Sequence, residues 1–150
     1  MPLAPEAAFA LWTDVQRWAS FVEGFAHVLE LKGDWPHAGS RLTWKSIPEG
    51  RGTVLEQVTE SLPGQTFVTQ VHEERLTGIQ TVRFAEDAEG AYVELQLDYE
   101  LSREDGLKKI VDVLFVRRAL TDALARTLMR FRTEAIEDAE AAVRAARERR

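Results

Sequence analysis

Ala91-Tyr92-Val93-Glu94-Leu95-Gln96-Leu97-Asp98-Tyr99-Glu100-Leu101 is the stretch that decides the fold. In an extended chain Val93, Leu95, Leu97, Tyr99 and Leu101 point one way, and Glu94, Gln96, Asp98 and Glu100 point the other. That alternation predicts a strand with one covered face and one wet face. Working back from it, the same period of two predicts five more strands, over 27–33, 40–46, 53–61, 65–74 and 76–85. On 76–85, Leu76, Gly78, Gln80, Val82 and Phe84 share a face; on 65–74 the two faces are too alike to assign. The connections carry turn residues, and Pro63-Gly64 suits the central pair of a type II turn. Strands that follow one another through short turns form an antiparallel meander, not βαβ crossovers.

Beyond the last strand the period changes to that of a helix. Ser102-Arg103-Glu104-Asp105 is a capping signal, after which Leu107, Ile110, Val111 and Leu114 form one stripe. Leu120, Leu124, Leu128, Phe131 and Ala135 continue it at steps of three and four. The run Val113–Val116 is apolar all round and predicts a bend or a doubly covered segment. Past Ala139 the helix is solvated, with Glu140 and Arg144 in the favourable i, i+4 order and a fraying tail at Arg147–Arg150. Ahead of the sheet, Pro5 suits a first helical position and Glu6 the positive end of the dipole. Ala8, Leu11, Trp12 and Val15 recur at helical spacing. Thr13-x-x-Gln16 reads as a capping box that restarts a second short helix carrying Trp18, Phe21 and Val22, with Gly24 as the stop. The fold class is therefore α+β: a single domain over 1–150, with about six antiparallel strands, two short N-terminal helices and one long C-terminal helix.

Composition narrows the function. At 150 residues and 45% hydrophobic the chain is long enough to bury a core. It has no cysteine, which excludes a disulfide framework, a thiolate metal site and a cysteine nucleophile, and fits a cytoplasmic location. A net charge of -6 argues against nucleic acid as the main partner. No apolar run reaches the ~18 residues of a membrane span.

The reactive side chains make no catalytic pattern. His27, His37 and His72 have no metal-ligand spacing and read as surface residues. Nucleophile-elbow, phosphate-loop and dinucleotide motifs are all missing. Glu73-Glu74, Glu86-Asp87 and Glu104-Asp105 fall at strand ends or turns and read as solvated charge; Gly50-Arg51-Gly52 reads as a loop. Arg117, Arg118, Arg126, Arg130 and Arg132 read as a solvated helix flank. No catalytic residue, metal or cofactor is assigned. Trp12 and Trp18 fall on the short helices, Trp35 in a loop and Trp44 on a strand face with Leu42. The candidate binding set is Trp44, Phe84, Tyr99, Leu120, Leu124, Leu128 and Phe131, with Gln80 as its polar member.

The order of elements resembles a known group. Ala4-Pro5-Glu6-x-x-Phe9-x-Leu11-Trp12-x-Asp14-Val15-x-Arg17-Trp18 is similar to the opening helices of the START-like helix-grip superfamily (SRPBCC), in its polyketide cyclase/dehydrase and lipid-transport branch. The likeness continues through Gly39-Ser40-Arg41-Leu42, Val58-Thr59-Glu60-Ser61-Leu62-Pro63-Gly64, Val82-Arg83-Phe84 and Phe115-Val116-Arg117-Arg118-Ala119-Leu120. It implies a curved sheet wrapped around the long helix, with an apolar cavity between them. Members usually begin with a strand before the Ala-Pro-Glu segment, and here only Met1-Pro2-Leu3 precedes it. That strand is missing, supplied by a neighbouring chain, or lost to a late start; an unpaired edge predicts a homodimer.

The expected function is binding or transport of an apolar small molecule such as a lipid, isoprenoid or polyketide. A cyclase or dehydrase acting in the same cavity is one rival, and a protein-interaction module is another. A dry void of ~300 Å³ would cost about 7 kcal/mol. The bulky inward set therefore predicts a modest cavity with mostly apolar walls, open near the short helices.

Overall fold

In the computed structural model, residues 1–102 and 108–149 are described. The meander is present as expected. β1 (Phe25–Lys32), β2 (Arg41–Ser46), β3 (Thr53–Leu62), β4 (Thr66–His72), β5 (Leu76–Asp87) and β6 (Gly90–Leu101) form one antiparallel sheet in chain order. Its curved inner face takes the alternate residues the period of two selected. Leu76, Gln80, Val82 and Phe84 of β5 are buried, while Thr77, Ile79 and Arg83 are exposed. On β4 the unassigned faces resolve, with Phe67, Thr69 and Val71 inward.

The N-terminal helices are α1 (Pro5–Thr13) and α2 (Trp18–Phe21), joined through a single 3₁₀ turn over Val15–Arg17. Pro5 opens α1 as its spacing predicted. The restart differs from the expected box. Thr13 turns its hydroxyl back to Phe9 O at 2.9 Å, a bond open to a threonine one turn on, and Asp14 becomes the cap by accepting Gln16 N at 3.1 Å.

The long helix α3 (Lys108–Glu148) is continuous and about 60 Å long. Its expected cap at Arg103-Glu104-Asp105, and Leu107, lie outside the described residues, as do the side chains of Ile110, Val111, Val113 and Leu114. From Leu120 onward its buried stripe faces α1, α2 and the sheet, with Phe131 and Ala135 fully enclosed. Phe131 lies with ring centroids 5.1 Å from both Trp12 and Phe21. Ion pairs fasten the same helix from outside. Arg17 reaches Glu134 at 2.5 Å and Asp138 at 2.6 Å, and Glu23 reaches Arg126 at 2.9 Å and Arg130 at 2.5 Å. Arg126 and Arg130 are thus tethers rather than a purely solvated flank. The hydrogen bonds to Asp138 and Glu134 raise the Arg17 pKa further, so it stays charged.

Met1 lies along the start of β6. Its amino group donates to Ala91 O at 2.6 Å, and Ala91 N donates to Met1 O at 2.9 Å, the pattern of an antiparallel bonded pair. Gly90 makes this approach possible: its φ is +130°, and a Cβ there would collide with Met1 O.

Candidate functional site

The Gly50–Gly52 loop is aimed inward, not outward. Ser46 N donates to Gly52 O and Gly52 N donates to Ser46 Oγ, each at 2.8 Å, which pins the loop against the buried end of β2. Pinned there, Arg51 lays its guanidinium 5.5 Å from the centre of the Trp44 ring. Its Nε donates to Glu73 Oε2 at 2.5 Å. The expectation that Glu73 is solvated therefore fails: from the turn between β4 and β5 its carboxylate meets Arg51, and its side chain is 5% exposed. Burial raises the Glu73 pKa despite the pull of Arg51.

Beside this pair lies a group the sequence reading passed over. Glu56 sits on β3 between Val54 and Val58, and the period of two carries it to the same inner face. It is 3% exposed. Trp44 Nε1 donates to its Oε1 at 3.1 Å, and Thr69 Oγ1 donates to its Oε2 at 3.0 Å. Loss of hydration raises the Glu56 pKa, more than the hydrogen bonds from Trp44 and Thr69 and the nearby Arg51 charge lower it. Burial thereby favours the uncharged acid.

These groups face a cavity between the sheet and α3 of about 30 Å³, room for about one or two waters. Trp44, Glu56 and Gln80 enter it from the sheet and Arg51 from its loop. Trp12, Trp18 and Val22 enter from the N-terminal helices, and Leu120, Leu124 and Thr127 from α3. Two buried donors on this wall, Trp12 Nε1 and Arg51 Nη2, have no hydrogen-bond partner among the described residues. At the rim, Glu23 N donates to Thr127 Oγ1 at 3.0 Å and its carboxylate holds Arg126 and Arg130.

Half of the candidate set meets here. Trp44, Gln80, Leu120 and Leu124 line the cavity. Phe84, Leu128 and Phe131 do not: Phe84 stacks edge-on with Phe9 at 5.5 Å, Phe131 packs on Trp12 and Phe21, and Leu128 lies against the core. Tyr99 pairs with Gly78 and borders a separate open cleft of about 470 Å³ with His72, Thr77 and Asp98. The cavity is modest, as the bulky inward set predicts: it is about a tenth of the ~300 Å³ typical of ligand sites, because large side chains have closed on it. Its walls are mostly apolar, as expected, and also hold an acid and a guanidinium that the candidate set did not include. Trp35 is in its predicted loop, yet its ring turns inward, with Nε1 donating to Thr13 O at 2.8 Å and the ring packed on Trp18 and Phe67. The missed residues left one readable signal, a glutamate at an inward position between two valines; nothing in the loop marked Arg51.

Among the described residues no cluster of three His, Asp or Glu could hold a metal ion, and no helix is long and apolar enough to cross a membrane.

An antiparallel sheet curved around one long helix, with a cavity where they meet, defines the helix-grip class. Residues 1–135 match the family described as polyketide cyclase / dehydrase and lipid transport, and the chain belongs to that family. Similar solved structures include TTHA0849 from Thermus thermophilus, with TM-score 0.68, 19% identity, and coverage of 95% of this chain and 93% of that one. CV1439 from Chromobacterium violaceum gives TM-score 0.65 at 16% identity, covering 87% and 88%. The di-domain ARO/CYC StfQ of the steffimycin biosynthetic pathway gives TM-score 0.70 at 17% identity, covering 93% of this chain and 49% of that one. At these identities the likeness is one of fold. No curated protein matches the sequence.

Proposed function

We propose that the protein binds an apolar small molecule between the sheet and α3, with Trp44, Gln80, Leu120 and Leu124 as walls. The observation that carries this reading is the convergence of those four side chains on one cavity. Membership of a family described by polyketide cyclisation and lipid transport supports it. A ligand larger than one or two waters enters by displacing Leu120 and Leu124, the more yielding wall: Leu124 is only partly buried, whereas Trp44 is enclosed by the sheet. The test is a thermal melt against a panel of polycyclic and acyl compounds. Binding raises the midpoint with concentration; a midpoint that none of them shifts rejects the reading.

A second reading, an enzyme of the cyclase/dehydrase type in the same cavity, is favoured by Glu56. A carboxyl whose burial favours the protonated form, placed beside a ligand, is suited to general acid catalysis. Turnover that disappears in Glu56→Gln while ligand binding persists supports it; binding without turnover in the unaltered protein leaves the binding function alone.

A further inference from the structure

Trp12 and Arg51 present an unexplained pair of atoms. Trp12 Nε1 and Arg51 Nη2 are buried, belong to residues that line the same cavity and have no partner among the described residues. Most buried N–H groups are paired, because leaving one unmade forfeits the hydration it had in water. An indole N–H and a guanidinium can only donate. Whatever completes them must accept, and none of the nearby wall oxygens does so: Glu23 Oε2, itself without a hydrogen bond, faces Arg130 at 2.5 Å. The Glu56 oxygens take Trp44 and Thr69, and the Thr127 hydroxyl takes Glu23 N. The Gln80 amide, also on this wall, bonds neither donor.

The charge of the wall narrows the acceptor further. The Arg51 charge is matched by Glu73 at 2.5 Å, and the Glu23 carboxylate stands at the rim. A carboxylate ligand would give up its hydration beside a guanidinium that already has its counter-ion, at a rim where Glu23 is shared by Arg126 and Arg130. An uncharged oxygen needs only the two donors.

Resting on the binding function proposed above, we infer that Trp12 and Arg51 are specificity residues that select an apolar ring ligand bearing an uncharged acceptor oxygen over its hydrocarbon or carboxylate counterpart. The ligand oxygen enters the volume open to a water and accepts from these donors, while its frame lies against Trp44 and displaces Leu120 and Leu124. Discrimination is expected to be marked, because a hydrocarbon leaves both donors unmade and removes any water that served them.

The experiment uses three matched probes: fluorene, fluorenone, which replaces the methylene by a ketone, and fluorene-9-carboxylate. Each is titrated at neutral pH into the full chain and followed by tryptophan fluorescence and thermal melt. Fluorenone is expected to bind about tenfold more tightly than either of the others, the effect of roughly one net hydrogen bond. Trp12→Phe deletes the donor without breaking any protein hydrogen bond made by that side chain, and its backbone carbonyl still accepts Trp18 Nε1. It should bring fluorenone down to the affinity of fluorene and leave fluorene within about twofold. Arg51→Lys keeps an ion pair with Glu73 but loses the second nitrogen, and should narrow the preference in the same direction if Trp12→Phe proves too unstable to titrate. Equal binding of fluorene and fluorenone to the unaltered protein overturns the inference while leaving the cavity reading intact. So does a preference that survives both variants, or tighter binding of the carboxylate. If no probe binds, the cavity reading itself falls, and the inference with it.

Discussion

The indole of Trp44 donates its Nε1–H to Oε1 of Glu56 at 3.1 Å, with both side chains enclosed between the sheet and the helices. An indole nitrogen cannot accept, so Oε1 is the acceptor in either protonation state. When Glu56 carries a proton, that proton sits on Oε2, beside a Thr69 hydroxyl that can reverse and accept it. A buried carboxyl without such partners would be strongly destabilising; with them it is held in a fixed orientation at the cavity, and burial favours its uncharged form.

Glu56→Gln preserves this arrangement. The amide oxygen accepts from Trp44 and the NH₂ donates to Thr69, so urea denaturation at neutral pH should find stability equal to or above that of the parent. Glu56→Ala leaves the Trp44 N–H and Thr69 hydroxyl unpaired beside a void, and should cost about 2–5 kcal/mol. Equal losses in the two variants would mean that the fold uses the negative charge.

The pH dependence follows from the same residue. Burial raises the folded-state pKa of Glu56, and that of Glu73 to its side, above their ordinary values near 4.5. The folded state therefore holds these protons more tightly than the unfolded chain. Their contribution is fully present below pH ~4.5 and is lost as pH rises through the raised values. Melts taken in steps from pH 4.5 upward should show this decline, and Glu56→Gln should flatten it. A slope that Glu56→Gln leaves unchanged would place the titration at Glu73 or elsewhere.

How far the sequence reading reached depends on which residues carried a period. The strands were legible because alternation is imposed by the pleat itself, as in Val93 to Leu101, and every turn but Glu73-Glu74-Arg75 had its glycine or proline. The helix stripe was legible for the same reason at a period of 3.6. The cavity was only half legible. Trp44, Gln80, Leu120 and Leu124 announced themselves as inward side chains, but inward does not distinguish a wall from a core: Phe84 and Phe131 obey the same period and pack on Phe9, Trp12 and Phe21. Glu73 was misread as solvated, and Arg51 was passed over as part of a loop, because loops carry no period. The aim of Arg51 is set by the Ser46–Gly52 bonds and that of Glu73 by the guanidinium it meets, and both are tertiary facts.

The helix stripe offers a graded test. Phe131 is fully enclosed by Trp12 and Phe21, so Phe131→Ala should cost about 3–5 kcal/mol. Leu124 is only partly buried at the cavity, so Leu124→Ala should cost about 1–2 kcal/mol, less than a sealed leucine. Glu140, exposed and 3.9 Å from Arg144, should register below about 0.5 kcal/mol when replaced by alanine. Denaturant midpoints in any other order would place the stripe on the wrong face.

Two tryptophans separate packing from binding. Trp35 donates to Thr13 O and stacks on Trp18 and Phe67, but does not line the cavity. Trp35→Phe removes that bond and should cost about 1 kcal/mol of stability while leaving probe affinity within roughly twofold. Trp44 lines the cavity, bonds Glu56 and lies under Arg51. Trp44→Phe should therefore weaken fluorenone binding about five- to tenfold, through lost ring contact and a loosened Glu56. It should also remove most of the fluorescence change on titration, if the emission that responds to ligand arises at Trp44. A saturating probe at 100 times its Kd adds about 2.7 kcal/mol to the unaltered fold, so the melts report binding independently of fluorescence. If Trp35→Phe lowers affinity as much as Trp44→Phe does, the ligand reaches past the cavity wall into the aromatic core, and the binding face has to be redrawn around Trp18 and Trp35.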